Sequence, residues 1–127
     1  MQELTDAQRQ MLRDYKDLLS VMSEGFDYLN TDYNEEAHLH TVRVFKDLLA
    51  AFEQLNNCHQ QMLVIFSEEE LLIDLLDEFK EIIKDFSECF EATSDEEKKE
   101  LVTRKVIPAF ESWKIQMEEF ISPYISH

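Results

Sequence analysis

Apolar side chains recur along this chain at intervals of three and four residues, the spacing that lines one face of an α-helix. Four segments carry the pattern. The first is predicted over residues 6–31. There Leu4, Gln8, Met11, Leu12, Tyr15, Leu18, Leu19, Met22, Phe26, Leu29 and Tyr33 share one side when residues are placed ~100° apart. Thr5 followed by Gln8 reads as a capping box at its start. Gly25, at the edge of the stripe, reads as a point where a neighbouring helix comes close.

The second helix is predicted over 35–66. Its inward face is Ala37, His38, Thr41, Val42, Phe45, Leu48, Leu49, Phe52, Leu55, Asn56, His59, Met62, Leu63 and Phe66. Adjacent Asn56 and Asn57, poor helix formers, mark a candidate break. The third helix is predicted over 68–92 and the fourth over 95–122. Each opens on a capping-box pattern, Ser67 with Glu70 and Ser94 with Glu97. Val102, Val106, Phe110, Trp113, Met117, Phe120 and Tyr124 form the core stripe of the fourth. Pro108 falls inside it, so a kink or break is expected near Arg104–Ile107, and Pro123 marks its expected end. Short connections between long amphipathic helices make neighbours antiparallel. The predicted fold is therefore all-α: one domain, residues 1–127, forming an up-down-up-down four-helix bundle.

Composition agrees. The chain has 127 residues, one Gly and two Pro, too few for the turns of a β or α/β domain this size. Apolar residues make up 44%, so the 31% that are charged do not imply disorder. Formal net charge is −16, which repels nucleic acid and anionic membranes and favours basic partners, although solubility alone would also account for it. The polar, charged start and the lack of an apolar run near 20 residues predict neither a signal peptide nor a membrane span. Cys58 and Cys89 suit free thiols in a reducing cytoplasm.

Tests for chemistry return little. A di-iron bundle needs two inward Glu-x-x-His motifs and two further inward Glu residues. Here the motif occurs at Glu35–His38, at a helix start, and the other helices show no inward mid-helix carboxylate. His38 and His40 point to opposite sides, and His59 lies about five turns beyond His40. No basic residue in sequence clearly activates Cys58 or Cys89, and no serine elbow or Gly-rich phosphate loop is present. No enzyme activity, catalytic residue, cofactor or metal ligand is assigned. His38, Asn56 and His59 stand out as polar residues on an apolar stripe, read as hydrogen-bonded or partly exposed groups near a bundle end, with a small polar pocket as the alternative.

The third helix changes the picture. Residues 67–93 hold ten acids and two lysines, net −8, whereas 35–66 are at net −2. Glu70, Asp74, Asp77, Glu78, Glu81, Asp85 and Glu88 fall within an arc of roughly 100°. Leu72, Leu75, Leu76, Phe79, Ile82, Ile83, Phe86 and Phe90 lie opposite. The result is a carboxylate ridge ~27 Å long, at ~1.5 Å per residue. Four like-charged i,i+4 pairs along it each cost a few tenths of a kcal/mol, which Lys80 and Lys84 partly offset through contacts with Asp77, Glu81 and Glu88. A solvated face is the plain reading; the functional one is a surface for a basic partner, in its extreme form a mimic of the DNA backbone. Val21, Tyr28, Ile73, Ile107 and Ile115 fall outside the main stripes and would make a second, apolar surface if they converge.

The stretches Glu24-Gly25-Phe26-Asp27-Tyr28-Leu29, Leu48-Leu49-Ala50-Ala51-Phe52 and Ile107-Pro108-Ala109-Phe110-Glu111-Ser112-Trp113 resemble a family of small acidic helical proteins of unknown function from Bacillus-type bacteria. The resemblance runs from about Leu12 to Tyr124 through core-type positions, so it implies a fold and no activity. A looser similarity is to flagellar and secretion export chaperones.

The expected function is a non-enzymatic, cytoplasmic protein-interaction module, adaptor or export-chaperone-like. It binds a protein partner, a basic one by charge, through the acidic face, an apolar groove or both. Direct nucleic-acid or membrane binding is not expected, and a homodimer is left open. The alternative is an acidic inhibitor or immunity-type protein occupying the nucleic-acid site of a basic partner. A metal-binding bundle enzyme is a distant third.

Overall fold

The computed structural model describes residues 3–30, 38–67, 69–89, 91–92 and 94–126. Four helical legs follow the predicted segments: α1 (Asp6–Leu29), α2 (His38–Ile65), α3 (Glu70–Cys89), and a last leg of α4 (Asp95–Leu101), a π-helical turn (Val102–Val106) and α5 (Ile107–Ile125). Among the described residues there is no strand, and no helix is long and apolar enough to cross a membrane. Thr31, Tyr33, Glu35, Ala37, Glu68, Phe90 and His127, and the side chain of His38, lie outside the described residues.

The Thr5–Gln8 capping box is formed in both directions, at 3.1 and 2.9 Å, and satisfies donors that the first turn leaves free. Ser94 caps α4 by accepting from the Glu97 amide at 3.1 Å. Ser67 does not cap α3. The Glu69 amide donates to the Phe66 carbonyl in a tight turn, and the helix starts at Glu70, so Ser67 stands too far upstream. Asn56 and Asn57 do not break α2, which runs through them because its apolar stripe packs on both sides of the pair. Pro123 does not end α5. The helix continues to Ile125, where Phe66 and Tyr124 rings meet at 4.8 Å and hold the last turn against the bundle.

Pro108 sits at the start of α5. It has no N–H to give the preceding turn. The chain responds by widening, not by breaking: helical conformation is continuous from Asp95 to Ile125, and the Ile107 amide reaches the Val102 carbonyl, five residues back.

Paired contacts fix the topology. Going along α1 from Tyr15 to Phe26, the ring partners on α2 recede from His59 to Phe52. Phe52 and Phe45 meet Phe79 and Phe86 of α3 in the same reversed order. Trp113 Nε1 donates to the Leu75 carbonyl at 2.8 Å, and Lys105 pairs with Asp85 at 3.3 Å. The last leg returns beside α1, where Lys114 Nζ donates to Ser23 Oγ and Thr103 Oγ1 to Asn30 Oδ1. Every neighbour is antiparallel, the up-down-up-down bundle expected.

Its centre is aromatic. Phe26, Phe52, Phe79, Phe86, Phe110 and Trp113 are all buried in mutual contact. Gly25 has the predicted use: a Cβ there would stand 3.1 Å from Leu48 Cδ2, so its absence brings α1 close to α2.

Candidate functional site

The helix α3 turns Leu72, Leu75, Leu76, Phe79, Ile82 and Phe86 into the core, and this orientation forces its acidic arc outward. Glu70, Asp74, Asp77, Glu78, Glu81 and Glu88 are exposed. Asp85 is the exception, half-buried beneath Lys105 of the π turn. Among the described residues neither Lys80 nor Lys84 comes within 4.0 Å of a carboxylate, so the offset expected from them is not made by direct ion pairs. Exposed Leu71 and Ile73 border the ridge near its start.

The apolar patch does not assemble. Tyr28 packs edge-on against His40 at 4.9 Å and Ile107 leans on the core, so both are half-buried. Val21, Ile73 and Ile115 are exposed on α1, α3 and α5, and α1 and α3 face each other across the core diagonal.

One concave surface was not located by sequence. An open trough of about 720 Å³ runs between α1 and α2. Ala7, Met11, Leu18 and Cys58 give it apolar lining; Gln10, Asp14, Gln54 and Asn57 are polar, and buried Tyr15 lies at its floor. The available signal was small: Ala7 and Cys58, short side chains on the flanks of two stripes.

Behind Tyr15 lies the one buried polar side chain among the described residues that also has an unpartnered atom, His59. Its Nε2 is 2.7 Å from the Tyr15 hydroxyl, a single hydrogen bond whose direction follows the imidazole tautomer. Nδ1 has no hydrogen-bond partner. Phe79 and Trp113 close around the ring edge-on, at 4.3 and 5.8 Å. Burial makes the charged form of each group costly. It pulls the His59 imidazole down to about 3 and pushes the Tyr15 hydroxyl well above its usual value, helped there by Cys58. The pair is neutral and closed to solvent.

Asn56 and His59 form no shared polar pocket. Asn56 is exposed, at the flank of α2 where the stripe ends, and the side chain of His38 is not described. The partner of His59 comes instead from α1, as Tyr15. Both thiols are free, and each is pushed toward the protonated form. Burial raises Cys58 with help from Asp14. Burial also raises Cys89 to about 11, with Asp85 adding to the shift. Cys89 is buried and donates Sγ–H to the Asp85 carbonyl. Among the described residues no group of three His, Cys, Asp or Glu side chains could hold a metal ion.

Residues 10–116 match a family described as a domain of unknown function, DUF8042, and the chain belongs to that family. Neither curated proteins nor solved structures give a match.

Proposed function

We propose that this DUF8042 member is a non-enzymatic protein-interaction module of the bacterial cytoplasm, adaptor or export-chaperone-like, that engages a basic protein partner. The observation that carries the reading is the outer face of α3. Six carboxylates there face solvent, and Asp85 alone of the seven pairs with a cation among the described residues. Such a face costs stability through like-charge repulsion. A basic partner would relieve that repulsion on binding and gain long-range attraction during encounter. Affinity capture from host lysate tests it, with wild type beside an Asp74→Asn, Asp77→Asn, Glu78→Gln, Glu81→Gln variant. The expected result is a specific partner retained by wild type at low salt, weakened at moderate salt and lost by the variant. Capture of no specific protein by wild type at either salt overturns the reading.

The spacing of the ridge favours a second reading, an inhibitor that occupies a nucleic-acid site. The six exposed carboxylates over ~27 Å give one charge per roughly 4.5 Å, of the order of the 3.4 Å per phosphate of one DNA strand. Such a protein competes with DNA for its target, and the competition fails when Asp74, Asp77, Glu81 and Asp85 become Asn or Gln. Competition undiminished by those changes rejects it.

A further inference from the structure

We infer that the α1–α2 trough is a seat for one amphipathic helix of a partner protein, a helix with an apolar seam and basic flanks. The inference rests on the interaction-module reading and names a surface and a partner chemistry for it.

Shape is the first argument. Two adjacent helices leave a furrow into which a third can lay its ridge. From Ala7 to Leu18 this one runs ~16 Å, about three helical turns. It is open along its length, whereas a small-molecule site encloses most of its ligand. Its lining comes second. Ala7 leaves room, while Met11 is unbranched and adapts to an incoming side chain.

Charge selects the occupant. Asp14 is the charged residue of the trough lining, while Gln10, Gln54 and Asn57 are uncharged. The nearest bases of α1, Arg9, Arg13 and Lys16, stand ~100° or more round the helix from Asp14. A helix flanked by Lys or Arg meets complementary charge here. A second copy of this chain, also at −16, meets repulsion, which argues against the trough as a homodimer seam.

The test uses three labelled synthetic peptides of about 18 residues, long enough for helix to form on the protein. One has a leucine seam with lysine flanks, one is its scrambled isomer, and one has glutamate flanks. Binding to the full chain is read by fluorescence anisotropy, with Asp14→Lys/Gln54→Lys as the trough variant and Asp74→Asn/Asp77→Asn as the ridge control. All four positions are exposed, so both variants should fold. The lysine-flanked peptide should bind wild type and the ridge control alike. It should lose about tenfold or more on the trough variant, while the other two peptides bind weakly. Equal binding of the scrambled isomer overturns the inference, as does loss on the ridge control with none on the trough variant. Absence of peptide binding overturns it too. If lysate capture still depends on the α3 carboxylates, the interaction-module reading survives that failure.

Discussion

The neighbouring helices α2 and α3 handle polarity in opposite ways. Between His38 and Ile65 the formal charge is zero, with two bases and two acids, yet α2 sends the imidazole of His59 into the core. Between Glu70 and Cys89 the charge is −5, from seven acids and two lysines, yet the buried face of α3 is apolar throughout. Position decides the cost. A line of exposed carboxylates is screened by water and salt. One neutral ring in the core loses a hydrogen-bond partner for good, and its charged form is excluded. The quieter helix by composition carries the more sensitive group.

The contrast can be broken in steps. The largest effect belongs to Phe52 of α2, which touches Phe26, Phe79, Phe86 and Phe110. Phe52→Ala should cost about 3–5 kcal/mol in urea unfolding. A cost under ~1 kcal/mol would show that the aromatic centre does not hold the two helices together.

Next is acid. His59 has its folded pKa lowered from 6.5 to about 3 by burial. Between those values the unfolded chain takes up a proton that the folded chain refuses, so stability falls as pH falls. The His59 share is fully present above about pH 6.5 and amounts to a loss of roughly 2 kcal/mol by pH 5. Unfolding at pH 7.5 and pH 5, compared with a Tyr15→Phe/His59→Leu double variant, isolates it. Equal pH dependence in the two proteins would contradict the assignment.

Smaller still is the ridge. Asp74→Asn with Glu78→Gln removes two like-charged i,i+4 contacts and should raise stability by about 0.5 kcal/mol at low salt, a gain that fades in molar salt. Loss of stability instead would mean that those carboxylates make favourable contacts. Lys105→Ala comes last, a loss of a few tenths of a kcal/mol because Lys105 is exposed and half-buried Asp85 keeps partial contact with water. A loss above ~1 kcal/mol would mark the bridge as structural.

What sequence could show follows from the same contrast. The ridge belongs to one helix, so spacing alone placed Glu70 through Glu88 on one face. The pairing of Asp85 was hidden because Lys105 comes from another leg, whose turn geometry depends on Pro108. Tyr15 and His59 were each visible on an apolar stripe. Their meeting depends on how far α1 and α2 slide along each other, which packing at Gly25 and Leu48 helps to set. Asn56 was misplaced for a related reason: a helical wheel knows the direction of a side chain but not where the neighbouring helix stops covering it. The trough belongs to two helices at once and left only small residues as a trace.

The wide turn at Val102–Val106 has a consequence best put as phase. Val102, Val106 and Phe110 are buried at successive steps of four. In an unbroken α-helix each such step overshoots a full turn by ~40°, so two would carry the stripe ~80° round. The π turn gives that rotation back, and Trp113, Met117 and Ile121 resume on the same line. The same adjustment aims Lys105 at α3. A turn bonded five residues ahead instead of four thereby screens one carboxylate of a different helix.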